Sequence, residues 1–245
     1  MTVSYPEILH LAIEYPESDS EPVAESEPQM LSLFYAVSAL RIYFQNHPDV
    51  YVGGNLLLYY EEGNPKAVVA PDVMAVMGGS HKGKWRSYLL WKEQKAPDFV
   101  LEITSKSTAS VDQGVKRGVY AYLGVREYFQ YDPTEDYLNP PLQGLRLVDD
   151  YYLTIPTVTN KDGSLMIHSN VLGLDLYLKN GEFHFADPDS GELLRSYEES
   201  ERERLEAEAA RIEVEKEAEA ERIARLAVQT RLAELEARLR HLEGK

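Results

Sequence analysis

Apolar residues recur at helical spacing between Glu27 and Gln45, at Met30, Leu33, Phe34, Val37, Leu40 and Phe44. This spacing predicts one amphipathic helix that ends near Asn46 and Pro48. Beyond it the pattern changes to short apolar runs divided by turn residues. Tyr51-Val52 and Leu56 to Tyr60 read as strands around the turn signal Gly53-Gly54-Asn55, and Glu62-Gly63-Asn64-Pro65 leads into an apolar run over Ala67 to Val76. Gly78 to Ala96 reads as a long, basic loop. Val100 to Thr104 reads as a buried strand, Asp112 to Leu123 as a helix closed by Gly124, and Glu127 to Asp132 as a strand stopped by Pro133. Gly144 to Pro156 and Ser164 to Phe185 continue as strands and turns, with Asn180-Gly181 a strong hairpin signal. Helix, strands, helix and strand around a mixed sheet predict an α/β (α+β) core.

The ends of the chain differ from this core. Residues 1–26 are rich in Pro, Glu and Ser, a composition that disfavours stable structure. Residues 27–197 make the folded domain, and residues 198–245 differ in kind. From Glu198 there is no proline, and no glycine until Gly244. Leu205, Ala209 and Ile212 step by four and three, and Leu232, Leu235, Leu239 and Leu242 step by three, four and three, with Glu and Arg between them. These are seam positions of a coiled coil, so the tail is expected to be one long helix that self-associates, most strongly near its C-terminal end. A single solvated helix held by Glu–Arg pairs is the alternative.

Two carboxylates stand out against the apolar runs. Asp72 follows Pro71 and precedes Val73 to Met77, and Glu102 sits inside Phe99-Val100-Leu101-Glu102-Ile103. A glutamate in an interior strand needs a partner or a metal to be tolerated. Lys116 and Tyr120 follow on the predicted helix, and then Gly124-Val125 and Glu127-Tyr128. This ordered set resembles the putative restriction endonuclease family of bacteria, a branch of the PD-(D/E)xK nuclease superfamily, over about residues 30–186. The superfamily's lysine normally stands two residues after the second acid, where this chain has Thr104; the resemblance maps that lysine to Lys116 on the following helix, with Lys106 competing. It implies a restriction-endonuclease-like mixed sheet in which Asp72, Glu102 and Lys116 are the catalytic residues.

Carboxylates on neighbouring strands suit a hard divalent cation, Mg²⁺ or Mn²⁺, held by Asp72, Glu102 and the main-chain carbonyl of Ile103. Such a site points to phosphodiester hydrolysis by a metal-activated water, with Lys116 stabilising developing charge. An ordinary salt bridge of Glu102 to Lys116 or Arg117, and a pair of Lys116 with Asp112, are the structural alternatives. Glu127 reads as structural, and the aromatic residues Tyr128, Phe129, Tyr131, Tyr137, Tyr151 and Tyr152 either pack the sheet or stack on bases.

Charge tempers this picture. The 245 residues carry a net charge of −16. The tail from Glu198 holds 14 acids and 10 bases, so most of the acidity belongs to the body. DNA is therefore expected to bind weakly and without sequence preference, through a local patch drawn from Lys82, Lys84, Arg86, Lys92, Lys95, Lys106 and Lys116. A nuclease-fold interaction protein assembled through its coiled coil, with weak or no catalysis, is the second reading. A glycoside hydrolase using the two acids is a third, opposed by the nearby lysines. The chain has no cysteine, no run long enough to span a membrane, and no basic start of a signal peptide, so the cytoplasm is the expected location.

Overall fold

The computed structural model describes residues 15–16, 26–79, 85–104 and 112–243, and the chain divides into two compact units at Tyr197. The expected disorder of residues 1–26 falls almost wholly outside the described residues. The first unit is built on a six-stranded sheet in the order β1 (Val50–Gly54), β4 (Val73–Met77), β6 (Phe99–Ile103), β7 (Glu127–Tyr131), β8 (Leu142–Val148) and β9 (Tyr151–Thr154). Only β6 and β7 run parallel; the other neighbours are antiparallel. A small sheet joins β2 (Leu58–Tyr59), β3 (Val68–Val69) and β5 (Tyr88–Leu89). A third sheet is an antiparallel meander of β10 (Val158–Thr159), β11 (Leu165–Ser169), β12 (Leu174–Lys179) and β13 (Glu182–Ala186). The unit is a mixed α+β fold.

Alternation along the strands sends side chains to two separate cores. Val73, Ala75, Phe99, Leu101, Ile103, Phe129 and Tyr131 pack on one face, against helix α1 (Glu27–Tyr43) and the meander. Met74, Val76, Val100, Tyr128 and Leu145 pack on the other, against Tyr120, Val125 and Tyr152. Helix α1 lies at the predicted place with a different buried stripe. Gln29, Leu33, Ala36, Ala39 and Leu40 face inward, while Met30 and Phe34 are exposed. Ala36 and Ala39 let the helix lie close to the sheet, so the small residues mark the inward face better than the bulky ones.

Other differences follow from close packing. Gly53-Gly54 belongs to strand β1 and not to a turn; the chain turns at Asn55, with φ of +49°. A Cβ on Gly54 would lie 2.6 Å from Val37 Cγ2 and 2.8 Å from the Asp72 carbonyl oxygen. The predicted loop from Gly78 to Ala96 contains β5 and a short helix, α2 (Leu90–Glu93). The Asn180-Gly181 hairpin lies where predicted, with φ of +54° and +79°, the signs a tight primed turn requires.

The helix expected from Asp112 to Leu123 is composite. Asp112–Lys116 forms a π-helical turn, and Arg117–Tyr122 continues as α3. Gly124 follows with φ of +77°, the left-handed conformation of a helix C-cap. The second unit is one helix, α4 (Tyr197–Glu243), about 70 Å long at 1.5 Å per residue. Leu205, Ile212, Ile223, Leu226, Leu232, Leu235 and Leu239 are all exposed along it. Arg204 pairs with Glu201 and Glu208, Arg222 with Glu219, and Arg231 with Glu234. Among the described residues, no helix is long and apolar enough to cross a membrane.

Candidate active site

Strand register brings the two singled-out acids to one place. Val73 pairs with Leu101, so the next residue outward, Asp72, comes alongside Glu102 on the same face of the sheet. They exchange contacts through the backbone. Asp72 Oδ2 accepts a hydrogen bond from the Ile103 amide at 2.7 Å, and the Asp72 amide donates to Glu102 Oε2 at 3.4 Å. Pro71 has no amide hydrogen; its carbonyl and that of Asp72 both accept from the Asn55 amide at 3.2 Å. The close approach at Gly54 permits this. The Ile103 carbonyl leaves the strand on the same edge as its amide, so it too is directed to the Asp72 side.

Glu102 is fully buried. Its Oε1 accepts from the Tyr120 hydroxyl at 2.5 Å, and its Oε2 lies 2.9 Å from Lys116 Nζ. That ammonium is also 3.5 Å from the Ala70 carbonyl oxygen. Lys116 and Tyr120 are four residues apart and reach the same carboxylate, because side chains at i and i+4 share a helical face. The π turn that ends at Lys116 sets where this face begins, and such turns recur at functional sites. Burial, and then the negative charge of Glu102, push the Tyr120 phenol well above its ordinary pKa, so it stays a protonated donor. Arg117 points elsewhere, donating to the Tyr152 carbonyl at 3.2 Å.

Two further polar side chains border this group. Thr104 stands two residues beyond Glu102 on the same face, and Gln130 of β7 pairs with Glu102 directly in register. Both are buried, and Thr104 Oγ1 and Gln130 Nε2 are the side-chain atoms, among the described residues, that are buried without a hydrogen-bond partner. Each such group costs roughly 1–3 kcal/mol. The available signal was Gln130 in the otherwise apolar Phe129-Gln130-Tyr131, but its meaning depends on a strand register the sequence does not display.

The remaining candidates lie apart or have other partners. Lys82, Lys84, Lys106 and His81 lie outside the described residues. Lys95 and Arg126 bind Asp98, at the opposite end of β6 from Thr104. Glu61 and Glu62 are exposed, and Glu61 accepts from Asn64. Tyr128, Phe129, Tyr131 and Tyr152 are buried in the sheet cores, which makes them packing residues; Tyr151 is exposed. Glu127 is held by Arg146, Ser169 and the amides of Asn170 and Val171.

Among the described residues, no three His, Cys, Asp or Glu side chains are grouped so that they could hold a metal ion together. The donors here are two carboxylates and main-chain carbonyls, all hard oxygens. That set fits a cation such as Mg²⁺, which is commonly held by one or two carboxylates and completed by water or phosphate oxygens. Two neighbouring carboxylates repel each other, and a divalent cation relieves that repulsion.

A family model described as putative restriction endonuclease matches residues 25–179. No curated protein matches the chain. Among solved structures, the chain is similar to one described as a putative nuclease belonging to DUF820 from Anabaena variabilis. The identity is 12% and the TM-score 0.44, over 60% of this chain and 75% of that one.

Proposed function

We propose, from the premise that this chain belongs to the putative restriction endonuclease family, that it is a metal-dependent DNA endonuclease. The observation that carries the reading is the juxtaposition of the two acids, the Ile103 amide donating to Asp72 and the Asp72 amide to Glu102, with Lys116 on the Glu102 carboxylate. Asp72, Glu102 and the Ile103 carbonyl would hold Mg²⁺ or Mn²⁺. A cation bound there supplies polarisation of the phosphoryl oxygen and a water acidic enough to ionise near neutral pH. Tyr120 fixes the rotamer of Glu102 by holding one oxygen, and the Ile103 amide does the same for Asp72. The Lys116 ammonium lies beside the acids, where it stabilises negative charge developing on a phosphate.

The substrate in this reading is DNA, bound weakly and with steep salt dependence. The body is acidic, and two of its described cations are committed to Asp98. A cytoplasmic location, where DNA is within reach, belongs to the same proposal. Nicking of supercoiled plasmid tests it: the full chain should nick with Mg²⁺ or Mn²⁺ and stop in EDTA. No nicking in either metal, at low salt and high protein concentration, moves the function to the non-catalytic interaction protein.

The long helix adds self-association. Its exposed seam of Leu205, Ile212, Ile223, Leu226, Leu232, Leu235 and Leu239 gives a second copy of the helix an apolar face to cover. Removing residues 200–245 should lower the number of chains per particle in light scattering while the body keeps its fold by circular dichroism; an unchanged number of chains at matched concentration rejects the helix as the assembly element.

A further inference from the structure

Thr104 and Gln130 flank Glu102 on two sides, one along its strand and one across to the neighbouring strand. Their positions on this face do not demand polar residues. The next row inward on the same face is Met74, Val100, Tyr128 and Leu145, all packed into the hydrophobic core. A valine at 104 and a leucine at 130 would suit that surface. The chain instead places a hydroxyl and an amide there, buried, with Thr104 Oγ1 and Gln130 Nε2 left without a partner. The rest of Thr104 is firmly fixed: its amide donates to the Tyr131 carbonyl at 2.7 Å, and its carbonyl accepts from Gln29 Nε2 at 3.1 Å. The unmet hydroxyl is therefore not the result of a loose segment. Nor can atoms so enclosed receive a polynucleotide. A single water is the ligand of the right chemistry, since it accepts from the amide and both accepts from and donates to the hydroxyl.

We propose that Thr104 and Gln130 bind one internal water that hydrogen-bonds Glu102 and positions its carboxylate for the divalent cation. Each carboxylate oxygen accepts more than one hydrogen bond, so this water adds to the Tyr120 and Lys116 contacts without displacing them. Glu102 is then oriented from three directions: Tyr120 and Lys116 from the helix, Asp72 from β4, and the water from the β7 side. Partners of this kind, one step removed from a metal, typically change metal affinity or activity by 10- to 100-fold when lost. Thr104 and Gln130 are thus positioning residues, acting through Glu102. The inference rests on the reading of Asp72 and Glu102 as a cation site.

The test is calorimetric titration of Mn²⁺ into the full chain, comparing the wild type with Thr104→Val, Gln130→Leu and Thr104→Ser. Thr104→Val keeps the shape of the side chain and removes the hydroxyl; Thr104→Ser keeps the hydroxyl. Thr104→Val and Gln130→Leu should each weaken Mn²⁺ binding about 10-fold or more. Thr104→Ser should stay close to the wild type, and the thermal midpoints of all three should stay unchanged or rise. If the wild type binds Mn²⁺ and Thr104→Val and Gln130→Leu bind it equally well, the inference is overturned while the cation site stands. If the wild type binds no Mn²⁺, the cation site itself fails and the inference falls with it. A crystal structure of the wild type keeps the question open to refutation even if a variant misfolds. Water density within hydrogen-bond distance of both Thr104 Oγ1 and Gln130 Nε2 is expected, and its absence rejects the inference.

Discussion

Two fully buried glutamates stand on neighbouring strands, Glu102 on β6 and Glu127 on β7, and the protein treats them differently. Glu127 is enclosed by donors. The Arg146 guanidinium reaches Oε1 from two nitrogens at 2.9 and 2.7 Å, the Asn170 amide reaches the same oxygen at 3.1 Å, and Ser169 and the Val171 amide reach Oε2 at 2.5 and 3.2 Å. One carboxylate faces one guanidinium, and the result ties the main sheet to the meander. Glu102 instead shares its place with a second acid, Asp72, and has an unsatisfied hydroxyl and amide beside it. Glu127 has a guanidinium and three further donors to itself. Asp72 and Glu102 instead share one face beside the Lys116 ammonium, 2.9 Å from Glu102, and the repulsion between the two carboxylates favours a further cation there.

Substitutions can break this contrast. The largest effect is expected at the acid pair. Glu102→Gln should lower DNA cleavage by at least ~10³-fold, about 4 kcal/mol of barrier, because it removes one of the two carboxylates proposed to hold the cation. Its urea midpoint should change little, because relief of the repulsion from Asp72 offsets the lost ion pair with Lys116. A matching loss of stability would put Glu102 in the same class as Glu127.

Glu127→Ala should do the reverse. Stranding Arg146, the buried Ser169 hydroxyl and the Asn170 and Val171 amides should cost about 3–4 kcal/mol in urea denaturation, with cleavage per folded molecule unchanged. A stable Glu127→Ala variant would show that the meander docks without this link.

Lys116→Ala is the finer probe. Cleavage should fall about 10²-fold. Stability in EDTA should fall by about 2 kcal/mol, less than for a wholly buried pair, because Lys116 is partly exposed and Tyr120 still holds Glu102. Added Mg²⁺ should restore that stability and leave cleavage low. Restoration of both would remove Lys116 from the chemistry.

The acids were legible in the sequence because each broke an apolar run, and an interior carboxylate demands explanation. Lys116 and Tyr120 were legible as an i, i+4 pair, although the π turn before them was not, since Asp112 to Lys116 carries no residue that dictates it. In α1 the spacing marks Leu33, Leu40 and Phe44, which are buried, but not the outward turn of Met30 and Phe34, because the inward face is set by Ala36 and Ala39 lying against the sheet. Gly53-Gly54 suggests a turn because glycine has two uses, flexible bends and close approach, and only the position of Val37 and Asp72 separates them. Thr104 and Gln130 were hidden for a more basic reason. Gln130 meets Glu102 only through the pairing of β6 with β7, whose register local pattern does not display, and Thr104, two residues along the strand, carries no polar signal of its own.

The contrast between the two glutamates reduces to whether the acid pair takes up a cation. Titrating Mn²⁺ against the full chain and following the free ion by electron paramagnetic resonance answers this most directly. The account predicts one tightly held Mn²⁺ per chain in the wild type, none in Asp72→Asn, and an unchanged single site when only the Glu127 pocket is disturbed by Ser169→Ala. Equal binding by the wild type and Asp72→Asn, or no binding by either, would contradict it.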